Sequence, residues 1–530
     1  MTRADDKVTI DGVRRRLAIL SPGQLVIGAV AGLLVGAFAL LPLPIALLSL
    51  LAPLVLCLLF VDPVVSLYIA ILSVPIQEVV LLPGGVSLTQ AAMVLTVFHT
   101  ALSLLAHPAN RIRVGRLFPV WMVFLWAFVL STSLTPYSAI EGVKETLRWL
   151  EAFVIWLLAV HLVRRRWQVV GLIVCVLLAP LSEAIYGLIQ FAIGAGPPSF
   201  RITSSLPFVR AYGTIGQPNS FAGYLNMAWP LALALAIGLT TALWHRTARR
   251  TMNKDPQATD EPQSAILRLR SGQVCNPSTA RFLSVSKGRT GLQSAILSWF
   301  LVLGSWFLAV LLLAGLLVSF SRGAWLGAAI GMLAMALALG GRVRWWALAA
   351  LALGAVVLAL GGVGWLPLFV ATRLASITRY LSFFDAGSVA VTRENFAIVE
   401  RMSQMQAGWR MFLAYPLTGV GPGNYSTAYP TFAVGQWYVS RGHAHNYYVQ
   451  IAAETGIVGA IAYLALLVGL VRQALITLRC TTDIVWHSAA IGCCGIIAAV
   501  IGHDLFENMH VLSMGIQLAS VWGLLTIIEE

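Results

Sequence analysis

The stretch RGHAHNYYVQIAAETG, Arg441 to Gly456, gathers two histidines, an asparagine, a glutamine and a glutamate at the mouth of an apolar run. If a helix begins near Asn446, then Asn446, Gln450 and Glu454 fall at i, i+4 and i+8, a narrow polar stripe on an otherwise apolar span. Such a stripe must face protein or water rather than lipid. His445 stands at the helix mouth, where a neutral imidazole could take a proton from an external substrate. The His443-x-His445 pair could instead bind a metal ion, with Glu454, His503 and Asp504 completing the set. Just before it, YPLTGVGPGNY (Tyr415 to Tyr425) has neither the spacing nor the preceding strand of a dinucleotide fingerprint, and reads as a flexible turn.

Two further clusters carry arginines. RAYGTIGQPNSFAGY, Arg210 to Tyr224, contains Pro218-Asn219-Ser220, which reads as a helix start with Asn219 or Ser220 as the cap. A helix N-terminus suits phosphate, and Arg210 sits just ahead of it. SFSRGAW, Ser319 to Trp325, is a tight turn between two apolar runs with Arg322 at its centre. Arginine favours bidentate phosphate contacts. Each cluster alone also has a plainer reading, as a capped helix or a snorkelling arginine.

The elements that must position these residues are membrane helices. The 530-residue chain is 58% hydrophobic and 11% charged, with mean hydropathy +0.83. Soluble domains carry roughly 25% charge. The apolar runs are about 18 to 25 residues long, enough to cross a hydrocarbon core of roughly 30 Å. We expect an all-α polytopic membrane protein with about fourteen spans, near 24–41, 43–61, 64–82, 87–105, 116–133, 146–163, 167–195, 220–243, 296–320, 324–340, 345–363, 449–471, 485–502 and 511–528. With the N-terminus inside, 24 of the 35 Lys and Arg fall on inner turns, as the positive-inside rule requires. The other eleven, including Arg210, Arg322, Arg401 and Arg441, fall outside and need an anion, a carboxylate or a lipid head group. The basic excess of +14 thus reflects inner turns rather than nucleic-acid binding. The six cysteines form no CxxC pair or metal spacing.

Three regions follow: N-terminal spans over 1–243, a cytoplasmic insertion over 244–295, and a C-terminal transmembrane domain over 296–530. The external segment 364–448 is too long for an idle connection. Within it Phe396, Val399, Met402 and Met405 can share one helical face, so short helices capping a cavity are expected there. In the insertion QSAIL occurs at Gln263–Leu267 and again at Gln293–Leu297, which predicts a disordered segment without a catalytic role.

In order along the chain, RAYGTIGQPNSFAGY, SFSRGAWLG, PLTGVGPGNY and HAHNYYVQIAAETGIVG resemble the O-antigen ligase and polymerase superfamily, the Wzy/WaaL-like proteins, over roughly 205–470. The resemblance implies a GT-C-type membrane glycosyltransferase in the cytoplasmic membrane, with its site on the periplasmic or outer face. It implies an undecaprenyl-diphosphate-linked glycan donor, a glycan, lipid or protein acceptor, and no metal or other cofactor. Carried over position by position, Arg210 and Arg322 match arginines that hold the donor diphosphate. His445 matches the acceptor-activating histidine. Asn219, His443, Asn446 and Glu454 stand as supporting residues. The insertion and the higher span count depart from the family pattern. A transporter or flippase of lipid-linked sugars is the alternative class; transporters usually show inverted repeats and broken helices near the midplane, whereas no such repeat is evident here and the polar clusters sit at the outer edge.

Overall fold

The computed structural model describes residues 62–81, 85–106, 111–202, 208–252, 292–359, 384–392 and 395–529. The chain divides into two compact units, 1–65 and 66–530, and the first is represented only by residues 62–65. The first two expected spans and most of the insertion lie outside the described residues.

The described residues are helical, with three isolated β-bridges and no named strand among them. The helices are α1 Val64–Leu72, α2 Leu88–Ala106, α3 Phe118–Ser133, α4 Ala139–Leu162, α5 Arg166–Ile193, α6 Pro218–Asn226, α7 Trp229–Met252, α8 Leu292–Val318, α9 Arg322–Leu339, α10 Gly341–Ala359, α11 Phe396–Ala414, α12 Tyr425–Phe432, α13 Tyr447–Cys480, α14 Ile484–His503 and α15 Met514–Glu529. Among the described residues, seven helices are long and apolar enough to cross a membrane: α2, α5, the α6–α7 pair, α8, α9, α13 and α14. The chain is thus a multi-pass membrane protein. The expected span 345–363 runs beyond the described end of α10 at Ala359, and four other described segments do not meet the length or charge of a span. Helix α1 has 9 residues, α3 and α15 have 16 each, and α4 opens with Glu141, Lys144, Glu145, Arg148 and Glu151. Helices α7 and α8 also run past the expected edges of the insertion, to Met252 and from Leu292, so the second QSAIL copy begins α8.

The core joins chain-distant helices. Trp121 and Phe124 of α3, Trp149 and Trp156 of α4, Tyr463 of α13 and Trp522 of α15 form one buried aromatic cluster. Edge-on and tilted ring pairs of this kind add to the area they bury. Gly323, Gly327 and Gly331 give α9 a small-residue ridge against α14, the packing that lets helix backbones approach closely in a membrane.

Helix α13 is broken inside the membrane run. Gly456 has φ 63° and ψ −162°, and the segment Pro416–Gly421 threads the gap. Val420 and Gly421 donate to the carbonyls of Ala453 and Glu454 at 2.9 and 2.8 Å, and Ile457 donates to Pro416 O at 2.8 Å. The break therefore leaves these backbone groups satisfied, as an apolar setting demands. A Cβ on Gly456 would lie 2.3 Å from the Leu417 carbonyl carbon, so only glycine fits. The turn expected at Tyr415–Tyr425 is in fact an ordered insert in a neighbouring helix. The amphipathic expectation for α11 holds at its centre: Val399 and Met402 are buried with Ala386, Val434 and Trp437, and Met405 packs beside them. Phe396, at the helix start, remains partly exposed.

Candidate functional site

Helix α6 starts two or three residues earlier than a cap at Asn219 or Ser220 would give, and this alters the role of Asn219. Pro218 occupies the first turn, where its missing N–H costs nothing. The cap is Gln217, whose side chain accepts from Asn219 N at 2.8 Å. The Asn219 side chain, expected as a cap, is instead turned to the site. It accepts from Arg210 Nη2 at 2.9 Å and donates to Glu507 Oε2 at 2.7 Å. Arg210 Nε also donates to the Ser319 carbonyl at 2.8 Å, tying the first motif to the second. In that second motif Ser321 caps α9, and Arg322 is its first residue. Phe320 takes φ 52° to make the turn, an uncommon conformation for a bulky residue.

These elements surround a cavity of about 210 Å³. Among the described residues, Arg201, Arg210, Arg322 and Arg401 line it, and Glu507 is the one acidic residue there. Asn219, Ser321 and His503 add polar groups to the lining, and Phe506 adds an apolar ring. Arg401 comes from α11, so the long segment does cap a cavity. Its Nη2 lies 3.6 Å from Glu507 Oε2. Burial lowers the Arg401 guanidinium from its usual range, Glu507 supports its charge, and nearby Arg322 opposes it. Like charges held together in a partly closed space favour an anionic guest.

Glu507 joins the arginines to the histidines. Its Oε2 faces Asn219 and Arg401, and its Oε1 faces His443 Nε2 at 2.8 Å and His445 Nδ1 at 3.4 Å. His443 Nδ1 lies 3.2 Å from the backbone N–H of His445, which donates to it, so the His443 proton belongs on Nε2, toward the carboxylate. The two rings stand 4.2 Å apart at 66°. Burial pushes His445 down to about 4, outweighing the opposing pull of Glu507, so its ring is neutral near pH 7. Burial would raise the Glu507 carboxyl, but His443 and His445 outweigh it and hold it well below the usual carboxylate range. Hydrogen bonds from His443 and Asn219 fit an ionised carboxylate.

The backbone fixes this meeting. His445 adopts φ 52°, a left-handed conformation that histidine tolerates better than most residues. Asn446 then caps α13, accepting from Val449 N at 3.0 Å. Tyr447 N donates to the Asp504 carbonyl at 2.7 Å, and Tyr448 Oη to Ile501 O at 2.9 Å. At the end of α14, Phe506 and Glu507 fold back on the His503 carbonyl, which turns Glu507 inward.

The polar stripe does a different job. Gln450 accepts from Ala444 N at 2.8 Å and donates to Glu454 Oε1 at 2.7 Å. That oxygen also accepts from Tyr425 N at 3.1 Å. Gln450 and the Glu454 side chain thus tie the histidine loop to the start of α12, Asn446 caps α13, and the bonds shown for Glu454 go to neither His445 nor Arg322. Of the alternative metal set, Asp504 accepts from Met509 N and Tyr463 Oη, and Glu454 is held as above. His443, His445 and Glu507 have ligand atoms within 4.8 Å of one another, a spacing that could hold an ion. The adjoining arginines oppose a cation there.

Arg210, Arg322, Asn219, His443 and His445 therefore meet around one centre, and sequence reasoning missed Glu507, its hub. From the sequence, Arg401 is one of eleven outer cations with nothing to set it apart. Residues 307–464 match the family described as O-antigen ligase. Over this segment the chain is similar to the O-antigen ligase/polymerase superfamily. The match includes Arg322, Arg401, His443 and His445, and ends before His503 and Glu507. No curated protein matches the chain. The family implies lipid-linked glycan substrates in a membrane and an enzyme of the ligase or polymerase type.

Proposed function

We propose that this protein is a metal-independent, GT-C-type glycosyltransferase that transfers or polymerises glycans from an undecaprenyl-diphosphate-linked donor at the outer face of the cytoplasmic membrane. One observation carries the reading: a cavity lined by four arginines is joined through Glu507 to a largely covered, neutral histidine. Arg210 and Arg322 hold the donor diphosphate, with Arg401 and the first turn of α9 beside them.

The acceptor hydroxyl attacks the anomeric carbon as its bond to the diphosphate oxygen breaks. The bond's electron pair leaves on the diphosphate, where fixed guanidinium groups stabilise the growing charge. His445 takes the hydroxyl proton. With Nδ1 carrying its proton toward Glu507, Nε2 presents the lone pair. A base this weak takes the proton late, once bond formation has acidified the hydroxyl. The diphosphate's negative charge also raises the base's affinity for that proton. A single displacement of this kind inverts the anomeric centre.

The test is transfer by purified protein in proteoliposomes containing a lipid-linked glycan. His445→Ala and Arg322→Ala are expected to lose transfer, by about 10²–10⁴ for the base, while both proteins still accumulate in the membrane. Full transfer by both variants overturns the assignment. Movement of the lipid-linked glycan across the bilayer without transfer would favour a flippase.

A further inference from the structure

His503 is a buried polar residue for which the proposed chemistry has no use. It is the last residue of α14 and is 0% exposed. Neither ring nitrogen has a hydrogen-bond partner among the described residues. An unsatisfied buried imidazole is costly, and cores rarely keep one without a use. The neighbouring helices leave room for it. A Cβ on Gly323 would come within 3.2 Å of His503 Cδ2 and 3.4 Å of Nε2, and one on Gly327 within 3.0 Å of His503 Cβ. Gly323 directly follows Arg322, so the ring lies against the turn that presents that arginine. His503 lines the same cavity as Arg210, Arg322, Arg401 and Glu507.

We infer that His503 is a further binding residue of this site, donating a ring N–H to a non-bridging oxygen of a diphosphate held by the arginines. The inference rests on the diphosphate reading above. A neutral ring suits the role, because it adds a directed donor where four guanidinium groups already supply the charge. Its position on α14 also gives the anion a contact outside the segment that matches the family.

The opposite expectations for stability and binding make the test sharp. His503→Leu removes an unsatisfied polar group, so without ligand the variant should melt at or above the wild-type temperature. Its affinity for farnesyl diphosphate, read from the ligand-induced rise in melting temperature of the full chain in detergent, should fall about tenfold, the worth of one such hydrogen bond. His503→Gln, which keeps an N–H donor, should recover part of that loss. In transfer assays His503→Leu should raise the donor KM more than it lowers kcat. An undiminished farnesyl diphosphate response in His503→Leu overturns the inference while leaving the diphosphate reading intact. No response in the wild type overturns that reading and the inference with it. A response to phosphatidylglycerol equal to that for farnesyl diphosphate would identify a head-group site and also overturn the inference.

Discussion

Glu507 gives the site its order. It accepts from His443 and Asn219, stands 3.4 Å from His445 and faces Arg401, so one carboxylate sets the spacing between the arginines and the proposed base. Glu507→Gln keeps the shape but loses the charge, and it also loses an acceptor oxygen. Transfer should fall at least tenfold in a kcat measurement, since the variant leaves charged and hydrogen-bonded partners uncompensated. Arg322→Lys should fare nearly as badly as Arg322→Ala if its contact with the diphosphate is bidentate. The pH profile follows from burial of His445. Its folded value of about 4 lies below the ordinary 6.5. Transfer should therefore stay level as pH falls through 6.5 and lose its base only near pH 4. Folding stability has the same sign. Below 6.5 the unfolded chain binds the proton more readily, so the His445 contribution erodes from 6.5 down to about 4 and then levels off. An acid limb in kcat/KM centred at 6.5 would show a solvated histidine instead.

At the scale of elements, the broken helix α13 connects the motifs. The threaded segment uses the N–H and carbonyl groups that the break exposes, and the Glu454 side chain holds the start of α12 through Tyr425 N. Gly456→Ala places a Cβ against the Leu417 backbone and forces a left-handed conformation. It should destabilise the protein by about 1–3 kcal/mol, visible as a lower melting temperature in detergent, with transfer falling as the histidine loop loses its clamp. Much of this region was legible in the sequence. The i, i+4, i+8 spacing correctly required the polar stripe to face protein, and hydropathy located the described helices closely. The helix break was hidden, because one glycine within an apolar run looks the same whether the helix continues or opens. The cap expected at Asn219 or Ser220 falls instead at Gln217, because Pro218 favours the first helical turn. Glu507 lies outside all four motifs, so their residue types and spacing do not point to it. The available signal was topological: HDLFENMH, His503 to His510, is a polar connection at the same end of the helices as the histidines.

At the scale of the molecule, residues far apart in the chain converge because several helices end at one level. Arg210 precedes α6, Arg322 begins α9, Arg401 lies on α11, His445 precedes α13, and Glu507 follows α14. The insertion lies in the connection between α7 and α8, which join the site at their other ends through α6 and the Ser319–Arg322 turn. Deleting 263–292, one unit between the QSAIL copies, should leave transfer unchanged at equal membrane abundance; loss of transfer in a normally inserted protein would assign that connection a role. The most direct measurement is single-turnover transfer from an undecaprenyl-diphosphate-linked oligosaccharide to its acceptor by purified wild-type protein and His445→Ala. The expected result is a glycosylated product of inverted anomeric configuration from the wild type, and at least a hundredfold slower formation by the variant. Equal rates, or a product of retained configuration, would contradict a single displacement assisted by His445.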